Sequence, residues 1–164
     1  MDLNSFREFF VEDDENTFYF FIAGAKNCGK SSFSKKFINF LPKSYIINNL
    51  QYKENLLFSL RIKETYSYTI NILEINNTDV LKELKLSLNK INKKCLIILF
   101  ENFHKERDFL EKIISEVKQN FLFEKYLLIR TKCEINSENN KDFIQSFSSS
   151  LGKIILFGIY AFRI

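Results

Sequence analysis

The sequence predicts an α/β fold: a mostly parallel six-stranded sheet with one antiparallel edge strand and helices on both faces. Three observations carry this reading. Continuous apolar runs, Phe18 to Ala23 and Cys95 to Phe100, have the pattern of strands buried on both faces. Stretches with apolar residues at helical spacing alternate with such runs, which makes the helices crossovers between parallel strands. An eight-residue loop with two glycines, Gly24-Ala25-Lys26-Asn27-Cys28-Gly29-Lys30-Ser31, joins the first strand to the first long helix.

The elements follow in order. Residues 1–16 are acidic and polar, with Phe6, Phe9, Phe10 and Val11 able to form a small apolar face. They are expected as an N-terminal extension to a single domain over residues 17–164. After the loop, Phe33, Phe37, Ile38 and Leu41 recur at helical spacing, and Pro42 marks the stop. A stretch without clear periodicity comes next. Then Leu56, Phe58, Leu60 and Ile62 alternate with Leu57, Ser59 and Arg61, and Tyr66, Tyr68, Ile70 and Ile72 continue after Lys63-Glu64-Thr65. Two period-two runs with a short connection predict an antiparallel hairpin. Asp79 to Asn92 predicts a helix with Leu81, Leu84, Leu88 and Ile91 on one face, and Asp108 to Phe121 a second with Leu110, Ile113, Ile114 and Val117. Tyr126 to Ile129 and Ile154 to Ala161 read as strands, with a weak helix between them over Lys141 to Leu151.

The loop between strand and helix is a complete P-loop, or Walker A motif. Polyphosphates carry several negative charges, and consecutive backbone N–H groups at the positive end of a helix dipole can hold them compactly. Gly24 and Gly29 allow close approach and backbone angles that a Cβ resists. Lys30 is placed to reach the outer phosphates, and the Ser31 hydroxyl to ligate Mg²⁺. The expected phosphate-binding residues are Gly24, Asn27, Cys28, Gly29, Lys30, Ser31 and Ser32. Cys28 has two readings, a thiol activated by the helix terminus or a small residue lending its N–H to a phosphate.

Composition narrows the partners. There are 24 Lys and Arg against 20 Asp and Glu, a net charge of +4, spread along the chain rather than gathered in a stripe. That distribution argues against a nucleic-acid partner. Three cysteines, Cys28, Cys95 and Cys133, form neither a disulfide framework nor a zinc pattern, as suits a reducing, cytoplasmic compartment. The run Ile154 to Phe162 is about half the length a bilayer span needs. Residue 2 is Asp and the chain ends in Ile, so no transmembrane segment or lipid anchor is expected.

A Walker loop alone does not choose among ATPases, kinases and GTPases; the later segments do more. Phe100-Glu101-Asn102-Phe103-His104-Lys105-Glu106-Arg107-Asp108-Phe109-Leu110, followed by an amphipathic helix and then Leu127-Leu128-Ile129-Arg130-Thr131-Lys132-Cys133-Glu134, resembles the Ras-like small GTPases, Rab proteins especially. The resemblance spans about residues 18–161 and is similar at its second part to that family's Asn/Thr-Lys-x-Asp motif. It implies GTP or GDP with Mg²⁺ as ligands. A carboxylate, here Glu134 in place of Asp, would accept hydrogen bonds from guanine, with Thr131 and Lys132 beside it and Ala161 supplying a backbone N–H to the base. An ordinary charged loop after a strand remains the alternative for this segment.

The resemblance also implies parts that are missing here. No Thr lies between Ser31 and Lys63 to serve as the switch threonine. The Asp-x-x-Gly segment is replaced by Glu74-Ile75-Asn76-Asn77, in which Glu74 either keeps the acidic Mg²⁺ role or is a plain charge at a strand end. No Gln follows, and Asn76 and Asn77 are shorter amides. His104, the single histidine, reads as a surface residue, and Glu101 and Glu106 beside it as solvated. The sequence stops three residues after Ala161, where Ras-like proteins carry a closing helix, so the N-terminal aromatics or a partner are expected to cover that face.

The resulting expectation is a guanine-nucleotide-binding domain with weak or absent hydrolysis, a regulatory or scaffolding subunit acting through protein partners. An active small GTPase with unconventional switches, a P-loop ATPase or kinase, and a nucleotide-free pseudo-GTPase interaction module are the alternatives.

Overall fold

A computed structural model describes residues 3–8, 10, 16–40, 44–52, 54–63, 67–76, 79–101, 103–120, 123, 125–131 and 154–157. In chain order the elements are α1 (Leu3–Arg7), β1 (Thr17–Gly24), α2 (Lys30–Phe40), β2 (Ser44–Tyr52), β3 (Asn55–Lys63), β4 (Ser67–Ile75), α3 (Asp79–Glu83), α4 (Lys85–Asn89), β5 (Lys94–Phe100), α5 (Phe103–Asn120), β6 (Lys125–Arg130) and β7 (Ile154–Phe157). The strands form one sheet in the order β2-β3-β4-β1-β5-β6-β7. β1 runs parallel to both β4 and β5, and β5-β6-β7 continue parallel. Only β3 opposes its neighbours.

The mostly parallel α/β sheet is therefore present, with the expected hairpin in register from Leu56↔Glu74 to Lys63↔Ser67. Two details differ from the sequence reading. The sheet has seven strands rather than six, because Ser44–Tyr52 pairs with β3 as an outer strand. The antiparallel strand is consequently one place in from the edge. β2 has no clean alternation because its register shifts between Ile46 and Asn48. One inserted residue sends the following side chains to the opposite face and erases the period-two signal.

Two apolar layers flank the sheet. On one face, Tyr19, Phe21 and Ala23 of β1, Leu73 and Ile75 of β4 and Leu96, Ile98 and Phe100 of β5 meet Leu110, Ile113, Ile114 and Val117 of α5. The face expected over 79–92 is buried as read, with Leu81, Leu84, Leu88 and Ile91 all in this core, although the helix is two short ones broken at Leu84. Lys94 closes that segment, its Nζ donating to the carbonyls of Leu88 and Ile91 at 2.7 Å each. On the other face, Ile22, Ile72, Ile97 and Leu99 pack against Phe33, Phe37 and Ile38 of α2.

The N-terminal segment belongs to the first layer. Phe6 and Phe10 are buried there, Phe10 stacking on Tyr19 and Phe21 with centroids 5.9 and 6.4 Å apart. Arg7 donates from Nε and Nη2 to the Glu83 carbonyl, tying α1 to the end of α3. Phe9, the 141–151 helix and the residues after Phe157 fall outside the described residues. α5 starts five residues earlier than its apolar stripe indicated. Its first turn is closed by Glu106, whose carboxylate oxygens both accept from the Glu101 N–H at 3.3 Å. Glu106 is thus a capping group rather than a merely solvated charge. Among the described residues, no helix is long and apolar enough to cross a membrane.

Candidate functional site

The strand order reverses at β1, whose neighbours β4 and β5 lie on opposite sides. The carboxyl ends of parallel strands at such a point leave a crevice, and the Walker loop lies there. Its two glycines are required for different reasons. At Gly24 the constraint is contact: a Cβ would come within 2.6 Å of the Leu99 carbonyl oxygen and press on Cys28 Sγ. At Gly29 it is conformation, with φ at 93° and open space around the Cα. Asn27 also takes a positive φ of 65°, which Asn tolerates better than most residues.

The chain then enters α2 at Lys30, and Phe33 N–H donates to the Gly29 carbonyl at 2.9 Å as the first helical bond. A helix leaves its first-turn N–H groups without intrahelical acceptors. Here that turn carries Lys30, Ser31 and Ser32, and its dipole favours an anion. Lys30 is only 6% exposed, and its Nζ donates to the carbonyls of Gly24 and Ala25 at 2.7 Å each. The ammonium is thereby folded back across the loop it belongs to. These features fit a polyphosphate: a loop with little room for extra carbons, a helix start, and one cation held within it.

A hydroxyl–carboxylate pair adjoins the loop. The Ser31 hydroxyl donates to Glu74 Oε2 at 2.9 Å, and Glu74, 1% exposed, ends β4 beside β1. Sequence left Glu74 between a metal role and a plain strand-end charge. It is buried, and the Ser31 hydroxyl is the partner that a buried carboxylate needs. Ser31 and Glu74 offer hard oxygen donors of the kind Mg²⁺ takes alongside phosphate and water. Among the described residues, no group of three or more His, Cys, Asp or Glu could hold a metal by itself.

Cys28 is 1% exposed and burial pushes its thiol above the ordinary range, with the nearby Lys30 acting the other way. The reactive-thiol reading therefore loses support, since a thiolate is disfavoured there. The residue packs instead against Gly24 and the Ile22–Leu99 layer. Its carbonyl accepts from Thr131 Oγ1 at 2.7 Å, while Thr131 N–H donates to the Phe100 carbonyl at 2.7 Å. Of the four residues expected at the base, Thr131 alone is described, and its hydroxyl braces the phosphate loop. Lys132, Glu134 and Ala161 lie outside the described residues.

Polar groups of β3 and of the residue after β4 are engaged within the protein. Ser59 is buried and donates to Asn71 Oδ1 at 2.6 Å within the sheet. Asn76 donates from Nδ2 to the Glu54 carbonyl at 2.7 Å, and its N–H to Asn55 Oδ1 at 2.9 Å. Asn55, wholly buried at the start of β3, was not singled out by sequence. No local pattern marks it; only the pairing of Leu56 with Glu74 shows that it lies at the rim of the site.

No protein-family model matches the sequence, and no curated protein does. Solved structures do match in shape. The chain is similar to the Roco2 RocCORdC of Methanosarcina barkeri, solved bound to GDP, with a TM-score of 0.54 at 13% identity over 90% of this chain and 45% of that one. It is also similar to the ADP-ribosylation factor-like GTP-binding protein, the small COPII coat GTPase SAR1, of Encephalitozoon cuniculi in complex with GDP. There the TM-score is 0.55 at 10% identity, over 97% of this chain and 75% of that one. The fold is a Ras-like GTPase fold. The chain thus spans less than half of the Roco2 chain and three quarters of the SAR1 chain. Within this Ras-like fold the Walker loop, Ser31 and Glu74 come together, while the residues between α2 and β3 form an extra edge strand.

Proposed function

We propose that the chain binds a guanine nucleotide with Mg²⁺, hydrolyses it weakly or not at all, and serves as a regulatory or scaffolding subunit through protein partners in the cytoplasm. The single observation behind this reading is the Lys30–Ser31–Glu74 arrangement at the start of α2. A buried ammonium sits within the loop, and a hydroxyl–carboxylate pair stands directly beside it. Gly24, Asn27, Cys28, Gly29, Lys30, Ser31 and Ser32 would line the phosphates, and Ser31 and Glu74 would hold the metal. The choice of guanine is supported by the printed GDP complexes of both structural neighbours. It is supported also by the Thr131-Lys132-x-Glu134 sequence that follows β6, of which Thr131 bonds to the loop at the Cys28 carbonyl. Residues 17–164 would form this nucleotide-binding unit, Rab-like in its sequence motifs, with the 1–16 segment packed onto it.

Bound Mg²⁺ would neutralise phosphate charge. The chain's own residues supply binding and orientation: amides and Lys30 for the anion, Ser31 and Glu74 for the cation. Weak hydrolysis would follow from the sequence, in which no Thr lies between Ser31 and Lys63 and no Gln comes directly after Glu74-Ile75-Asn76-Asn77. Titration of fluorescent GDP, GTP and ATP against wild type and Lys30→Ala tests the reading. Guanine nucleotides should bind wild type in preference to ATP. Absence of binding by any of the three would remove it.

A further inference from the structure

The phosphate loop carries a second lysine. Lys30 is enclosed, whereas Lys26 and Asn27, at the outer bend of the loop, are both exposed. The backbone of this bend is held from several directions. Cys28 N–H donates to the Ala25 carbonyl at 3.3 Å, so Lys26 and Asn27 are the central residues of a tight turn. The same carbonyl accepts from Lys30 Nζ at 2.7 Å. The far end of the turn is tied down where Thr131 Oγ1 donates to the Cys28 carbonyl at 2.7 Å. Asn27 takes the positive φ of the turn, 65°, and Lys26 does not. The Cα of Lys26 is thereby fixed at the exposed edge of the loop, while its ammonium swings on a flexible four-carbon stem.

We propose that Lys26 is a specificity-determining residue, whose ammonium closes on the outermost phosphate of a nucleoside triphosphate and makes the chain favour triphosphate over diphosphate. The inference rests on the nucleotide-binding reading above. Inner phosphates would meet charge that is already in place, the first-turn amides of α2 and the enclosed Lys30 ammonium. A third phosphate extends the anion beyond that enclosed charge and carries about two negative charges at its free end. Lys30 is 6% exposed and bonded to the Gly24 and Ala25 carbonyls, which holds it within the loop. Lys26 belongs to the same loop, bears the same charge and can follow the anion outward. Its attraction acts through solvent, so salt should weaken it. Because Asn27 sets the turn, the charge at position 26 can be varied without straining the loop.

The test is a fluorescence titration of the full chain with GDP and with a non-hydrolysable GTP analogue, both with Mg²⁺, at low salt and at about 0.5 M salt. The measured quantity is the ratio of the two affinities. At low salt Lys26→Ala should lower the preference for the GTP analogue about fivefold, and Lys26→Glu about 20-fold. Lys26→Arg should keep the wild-type ratio. At about 0.5 M salt the four ratios should converge to within about twofold. Lys35→Glu, the same charge reversal at an exposed lysine farther along α2, should stay within about twofold of wild type at low salt. Equal ratios in wild type and Lys26→Glu would overturn the proposal. So would a loss in Lys26→Ala that Lys26→Arg shares, a change that salt does not reduce, or an equal change in Lys35→Glu. Thermal scans confirm folding, and should Lys26→Glu not fold, Lys26→Ala against Lys26→Arg makes the same comparison. Binding of neither nucleotide by wild type would remove the parent reading and this inference with it. Binding of both, with a ratio indifferent to residue 26, would remove this inference alone.

Discussion

The phosphate loop and the rim turn two strands away sit at the same end of one sheet and treat their polar groups in opposite ways. In the loop, Asn27 and Gly29 hold positive φ angles and the first turn of α2 is directed at the crevice. These are conditions a fold maintains only when the surroundings determine them strongly. At the rim, Asn76 donates its N–H to Asn55 Oδ1 and its Nδ2 to the Glu54 carbonyl, and the adjoining strand is paired to its end. The loop presents a helix start and a positive-φ turn to the crevice, whereas the described polar groups of the rim bond within the protein. In a Ras-like fold the two regions need not be kept together: a site can retain the geometry for holding an anion while the segment beside it settles into ordinary sheet structure.

Substitutions can break or sharpen this contrast. The largest effect is expected at Lys30. Replacing it by Ala removes the loop's buried cation, and charge-assisted hydrogen bonds of this kind predict a loss of about 100-fold in nucleotide affinity by fluorescence titration. Folding should survive, since Lys30 bonds to only two carbonyls at the protein's own loop. Equal affinity in Lys30→Ala would mean that the loop is a relic of the fold.

Gly24→Ala should be next, and it should act on stability. Its Cβ meets the Leu99 carbonyl, which is backbone in the central strand β5 and cannot swing away. Overpacking of about 2 kcal/mol predicts a melting temperature lower by roughly 5 °C in a thermal scan. An unchanged melting temperature would show that the loop is looser against β5 than the geometry indicates.

Ser31→Ala separates metal from phosphate. Glu74 loses its hydroxyl partner and the metal one ligand, so the gain in nucleotide affinity on adding Mg²⁺ should fall about tenfold while Mg²⁺-free affinity stays near wild type. A proportional loss with and without Mg²⁺ would assign Ser31 to the phosphates instead. The smallest effect is expected at Thr131→Val, which deletes a neutral hydroxyl that donates to the Cys28 carbonyl at 2.7 Å and, more distantly, to the Phe100 carbonyl at 3.3 Å. The shorter bond contributes about 1 kcal/mol, or roughly fivefold in affinity. Weakening of GTP binding with no change for ATP would place Thr131 at the base rather than at the loop.

Periodicity and spacing made the architecture and half of the site legible. β1, the Walker loop and α2 can be read in one pass, because a buried strand, a phosphate loop and a helix are all local patterns. The buried faces of 79–92 and of α5 were readable for the same reason, since apolar spacing reports which side of a helix meets a core. β2 was not readable: the irregularity near Ile46 breaks its alternation, and its pairing partner lies across a turn. The break at Leu84 was equally hidden, because an apolar stripe continues through a kink that leaves its face unchanged.

By itself, then, the order of residues determined the loop, the strand before it, the helix after it and the missing threonine and glutamine. Each is a matter of side-chain type within a few positions. Tertiary structure decided that Glu74 meets Ser31 over 43 residues of chain, that Thr131 braces Cys28 over 103, and that Asn55 locks onto Asn76. It also decided that Phe6 and Phe10 fill the core under β1. Those contacts depend on strand register and on the reversal of order at β1, which arise when the whole sheet assembles and leave no trace in any local stretch of sequence.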